Sequence, residues 1–120
     1  MTLSPSLPYM QSKGKIGEDL AAEYLKSIKY RIVHRNFRIA LGEIDIVAID
    51  KDFLVFVEVK YGKEAYLRVN RRKMENIFRA ADAFLKYFGD FGRSKYRIDV
   101  ISVSEEGKVN HFKDVSMDFA

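Results

Sequence analysis

Cysteine is absent from the 120-residue chain, which excludes disulfides, thiol catalysis and cysteine-ligated zinc. Histidine is scarce: His34 and His111 are the only two, too few for a nitrogen-rich metal site, so any bound metal must be held by oxygen. Both fall in expected strands without an acid or nucleophile pattern beside them, and structural roles are expected for them. No apolar run is long enough for a membrane span, and no repeat or low-complexity tract is present. With 48% hydrophobic and 32% charged residues, the chain is too rich in core formers for a disordered tail. A soluble globular domain without a membrane partner is the expectation.

The length suits one domain. Residues 1–12 read as a loose leader and 13–120 as that domain. The leader holds both prolines, Pro5 and Pro8, and its apolar residues are too scattered for a signal-peptide core. A cytoplasmic protein is therefore expected. Lysine and arginine total 21 against 17 aspartates and glutamates, a formal charge of +4; this permits a polyanionic partner, but the placement of the charges carries more information.

Ile16, Leu20, Tyr24 and Ile28 recur every four residues, with Ala21 and Leu25 beside them, and predict a helix over 15–28. Strand patterns follow at 30–39, 43–49 and 53–60, the last two joined by a short polar turn. Asn70 is an N-cap for a second helix whose stripe of Met74, Ile77, Phe78, Ala81, Phe84, Leu85 and Phe88 ends at Gly89. Strands at 96–103 and 108–113 complete an αβββαββ order.

Three polar residues interrupt the apolar second and third strands: Asp45, Glu58 and Lys60. Strand alternation puts Glu58 and Lys60 on one face. If Lys51 and Asp52 form a two-residue loop, Asp50 faces Phe53, and counting back along both strands brings Asp45 opposite Glu58. A three-residue loop or a bulge would turn Asp45 to the other face. Two facing carboxylates in a half-buried hairpin repel each other. A divalent cation reverses that sign, and magnesium, with manganese as a substitute, prefers such oxygens. Lys60 would then orient an attacking water or stabilise the charge that develops on a phosphate.

Two helices can add to this set. On a helical wheel of about 100° per residue, Glu18 falls beside Leu25 at the edge of the apolar stripe, within reach of the sheet. The second helix opens with Arg71, Arg72 and Lys73, where the helix dipole disfavours cations, so an anion such as phosphate is expected nearby. Lys63, Arg68 and Arg79 extend this basic region, with Tyr61 and Tyr66 flanking it. Lys73 is expected near the active face. Arg71 and Arg72, the latter pointing outward, are expected on a nucleic-acid backbone.

Gly17-Glu18 with Ala21-Ala22-Glu23-Tyr24-Leu25, Gly42 to Ala48 (GEIDIVA) and Val55 to Lys60 (VFVEVK) together resemble the YraN-like uncharacterised family. That family is similar to Holliday junction resolvases and belongs with the PD-(D/E)XK nuclease superfamily. The likeness covers residues 13–103. It implies an α/β, restriction-endonuclease-like αβββαβ core with a mixed sheet flanked by helices. It also implies Asp45 and Glu58 as metal ligands, Lys60 as the catalytic lysine and Glu18 as an accessory acid. At the second helix the family often has Lys followed by Gln, whereas this chain has Lys73 followed by Met74. The expected function is a magnesium-dependent endonuclease that hydrolyses DNA, branched DNA included, and a homodimer is compatible with the resolvase likeness because two cuts need two sites. The alternatives are a nucleic-acid-binding module with a non-catalytic acidic site, and a structural partner protein.

Overall fold

The computed structural model describes residues 13–62 and 69–115. Helix α1 (Lys13–Ser27) leads into strands β1 (Arg31–Ile39), β2 (Gly42–Asp50) and β3 (Phe53–Tyr61); helix α2 (Arg71–Phe88), β4 (Lys95–Val103) and β5 (Val109–Phe112) follow. The expected element order holds throughout. The strands form one sheet in sequence order, antiparallel except for the β3/β4 pair, which is parallel. The parallel pair requires a crossover, and α2 supplies it.

Each face of the sheet carries one helix. On one face Met74, Ile77, Ala80, Ala81 and Phe84 of α2 pack on Val47, Leu54, Phe56 and Val100. On the other, Ala21, Ala22 and Leu25 of α1 pack on Ile46, Ala48, Val55, Val57 and Ile101. The β-layer between them is apolar on both sides, as expected for central strands covered twice. Helix α2 starts at Asn70, whose side chain accepts a bond from the Lys73 amide, and ends at Gly89 with φ 80.

Helix α1 corrects one sequence expectation. Its buried face is Gly17, Glu18, Ala21, Ala22 and Leu25, while Ile16, Leu20 and Ile28 are each more than a third exposed. Size explains the difference. A Cβ on Gly17 would stand 2.9 Å from Tyr61 Cβ, so the helix approaches β3 through its smallest side chains. That close approach carries Glu18 inward.

Candidate functional site

The hairpin register is the one a two-residue loop dictates: Asp50 pairs with Phe53 and Ile46 with Val57. Lys51 turns the chain with φ 54. Beyond Ile46 and Val57 the β2/β3 ladder stops, yet both strands continue, β2 along β1 to Gly42 and β3 along β4 to Tyr61. The sheet therefore forks. Asp45 and Glu58 are the first residues past the last rung, one on each prong.

Side-chain alternation changes at the fork. Ile44 packs on the α2 face and Ile46 on the α1 face, although two residues apart. In the paired strand, Arg35 reaches α1 while Phe37 packs on the α2 side. Between Arg35 and Phe37 lies Asn36, with φ 58, a left-handed conformation uncommon outside glycine and most tolerated by Asn and Asp. Such a kink re-aims side chains at the edge of a site.

In the fork, Asp45 Oδ2 accepts a bond from the Val59 amide at 2.7 Å, and Lys60 Nζ lies 2.9 Å from Glu58 Oε2. A hollow of about 320 Å³ opens here, lined by Asp45, Glu58, Lys60 and Glu18. Burial, then the Glu58 carboxylate, push the Asp45 carboxyl up to about 9; the Val59 amide pulls the other way and Glu43 adds a little. At neutral pH Asp45 thus keeps a proton unless something positive replaces it. Burial works against the Lys60 ammonium, but Glu58 beside it outweighs that, and the lysine pKa ends above its ordinary value.

Glu18 is buried and already engaged. Its Oε1 accepts from Arg35 Nε at 2.9 Å and from Asn36 Nδ2 at 3.1 Å, and Arg35 Nη2 also reaches Asp19 at 2.6 Å. Among the described residues, no three acidic or histidine side chains cluster as a metal cage. The donor set is the Asp45/Glu58 pair. That pair suits magnesium or manganese, which bind through one or two carboxylates and complete their shell with water and phosphate oxygens; it does not suit a closed structural site.

Beside the fork runs a wider cleft of about 730 Å³ between the β1/β2 turn and the first half of α2. Glu58 and Lys60 reach it, Arg38 comes from the turn side, and Arg72, Lys73 and Arg79 from the helix side. Gly42 lets the two walls meet: a Cβ there would fall 2.2 Å from the Asn76 carbonyl oxygen.

The profile of the Uncharacterised protein family UPF0102 matches residues 17–103, a span that contains the fork and both cleft walls. The chain belongs to this family. A UPF0102 protein of Petrotoga mobilis is 38% identical over 107 residues, covering 86% of this chain and 96% of the relative. One of Kosmotoga olearia is 43% identical over 107 residues, with 86% and 91% covered; one of Pseudothermotoga lettingae is 41% identical over 106 residues, with 86% and 97% covered. The YraN-like resemblance carried by the sequence motifs is to this family.

Within this UPF0102 fold the structure unites Asp45, Glu58 and Lys60, and sets Glu18 at the wall of the same hollow. Arg72, expected to point outward, lines the cleft beside Lys73 and Arg79, whereas Arg71 is exposed at the helix start and is not among the cleft residues. Lys63, Tyr66 and Arg68 lie outside the described residues. Tyr61 packs its Cβ against Gly17 rather than standing apart. Met74, where the family often has Gln, is fully buried in the core.

The histidines divide. His34 sits among Phe37, Phe84 and Phe88 with ring centroids 5.0 to 6.0 Å away, a structural role as expected. His111 does have an acid beside it, which sequence spacing did not reveal: its Nε2 is 2.7 Å from Asp99 Oδ2, and its Nδ1 is 3.0 Å from the Tyr24 hydroxyl. Arg38 and Asn36 were the site residues missed. Strand alternation gives no reason to single them out, because the left-handed residue that re-aims this stretch is itself Asn36.

Proposed function

We propose that this protein is a metal-dependent endonuclease that hydrolyses DNA phosphodiesters. The observation that carries the reading is the fork, where two carboxylates and an ammonium converge beside a cleft with cations on both walls. Lys60 answers Glu58, but the buried Asp45 carboxyl facing that carboxylate costs stability, so its presence in a forked sheet is better explained by function than by folding. The likeness of the sequence motifs to PD-(D/E)XK nucleases supports the same reading.

Asp45 and Glu58 would hold the ion. Bound magnesium or manganese would neutralise charge on phosphate oxygens. The chain's own groups supply the rest. Arg72, Lys73 and Arg79 grip the phosphates flanking the scissile one. Lys60, held by Glu58, donates hydrogen bonds to the attacking water or to the phosphate oxygen on which charge builds. Water oxygen bonds to phosphorus as the bond to the leaving sugar oxygen breaks; the proton lost by the water goes to solvent, and the leaving oxygen takes one back.

Purified protein incubated with magnesium or manganese should nick or cut DNA, and Asp45→Ala and Lys60→Ala should each lower the rate by about a thousandfold or more. An independent readout is thermal: manganese should raise the melting temperature of the wild type and not of Asp45→Asn, because the ion binds only the folded fork. Cleavage that survives both substitutions rejects this site. Salt-sensitive DNA binding with no cleavage of any substrate would instead favour a binding module, a reading supported by the fact that Arg38 and Arg79 approach the cleft without touching the acid pair.

A further inference from the structure

The cleft differs from a general phosphate-binding surface in three respects. Its reactive end is recessed: the side chains of Glu58 and Lys60 are 9% and 17% exposed. A phosphate on the outside of a stacked duplex does not reach such depth without distortion, whereas an unpaired strand bends into it. Its width is also set by packing. The backbone at Gly42 packs directly against the Asn76 carbonyl, so the turn and α2 close on each other at this end of the cleft and leave it narrow. A volume of about 730 Å³ falls in the range that accepts a ligand of drug size, and about two nucleotides of one strand match that class.

The third respect is Leu41. It stands at the turn between β1 and β2, lines the cleft, and is 65% exposed. A solitary surface leucine needs no explanation elsewhere. Here it lines the same cleft as Arg38, at the end of β1, and Arg72 and Arg79 of α2. An apolar tip among cations matches a polymer that alternates charged backbone with flat apolar bases, and leucine is one of the side chains that proteins insert between base steps. Among the described residues Arg38 pairs with Glu43, at 3.3 Å in a largely exposed pair. Such pairs are weak, and a phosphate can replace the carboxylate.

We infer that the cleft takes one unpaired strand rather than an intact duplex, with Arg38 gripping its backbone and Leu41 wedging the adjacent base step open. The substrate class is then DNA with a single-stranded segment beside a duplex end, such as a fork or a branch. This rests on the nuclease reading for the place of the scissile phosphate, but the strand preference is measurable without turnover.

The test uses Asp45→Asn protein and three fluorescent oligonucleotides: a single strand, a blunt duplex of the same sequence, and a fork carrying 2-aminopurine at the step beside the branch. The single strand and the fork should bind about tenfold tighter than the duplex. Arg38→Ala should flatten the dependence of log affinity on log salt by about 0.7, the loss of one phosphate contact on a single strand. Leu41→Ala should keep single-strand affinity and lose most of the 2-aminopurine rise at the fork. Equal or tighter binding of the blunt duplex overturns the inference, as does a 2-aminopurine rise unchanged by Leu41→Ala. Wild-type cleavage of intact duplex as fast as single strand overturns it too, yet leaves the nuclease reading standing. Preference for unpaired strands with no cleavage of any substrate does the reverse.

Discussion

Asp99 on β4 and Asp45 on β2 belong to one sheet, with β3 between them, and meet opposite environments. Asp99, fully buried on the α1 face, receives Arg97 Nε at 2.9 Å, the Asp114 amide at 3.0 Å and His111 Nε2 at 2.7 Å. Arg97 also bonds Asp50 at 3.0 Å and the Tyr30 hydroxyl. Burial alone would raise the Asp99 carboxyl, but His111, Arg97 and the amide outweigh it and hold the group below its ordinary value. Asp45 has one amide and a facing carboxylate, and is pushed up to about 9. A buried acid whose every oxygen is answered serves the fold; one left facing its like fits the proposed cation site.

The comparison breaks most visibly in stability. Asp99→Asn takes one of the two carboxylates that pair with buried Arg97, leaving it Asp50 alone and setting an amide among donors placed for a carboxylate, and should cost about 3–5 kcal/mol in urea melts. Because the folded pKa of Asp99 is depressed, its contribution is complete above the ordinary carboxyl value of 3.8 and is lost as pH falls through the folded value. The wild type should therefore lose stability below about pH 3.8, and Asp99→Asn should show a shallower acid slope. A smaller loss, about 1–3 kcal/mol, is expected for His111→Ala, which removes one donor to Asp99 and one tie between β5 and α1. Hydrogen exchange should show β5 loosening before the rest of the sheet in that variant.

At the fork the sign should reverse. Asp45→Asn keeps an oxygen for the Val59 amide and removes the cost of holding a buried acid neutral beside Glu58, so it should stabilise the metal-free protein by about 1 kcal/mol while abolishing the proposed cleavage. A loss of stability comparable to that of Asp99→Asn would mean that both aspartates are structural, and the contrast would fall.

Local order made much of the site legible. Alternation and a two-residue loop between Asp50 and Phe53 are short-range constraints, so the register that sets Asp45 opposite Glu58 follows from counting. The stripe of α2 was equally plain, since Met74, Ile77 and Phe84 repeat at helical spacing against one apolar layer. The face of α1 was not. Its larger apolar residues suggested the Ile16/Leu20 edge, but the sheet lies against Gly17 and the two alanines, because contact distance and not hydrophobicity alone selects the buried side.

Order, hairpin register and the acid/acid/lysine constellation were thus decided by the chain's own pattern, through geometry that acts over a few residues. The end of the β2/β3 ladder, the left-handed Asn36 that redirects Arg35 and Phe37, the approach of Arg38 to a helix more than thirty residues away and the meeting of His111 with Asp99 were decided only when distant strands and helices packed. Each depends on how two separate backbones twist apart or press together, and that balance is struck by long-range contacts with no period along the chain.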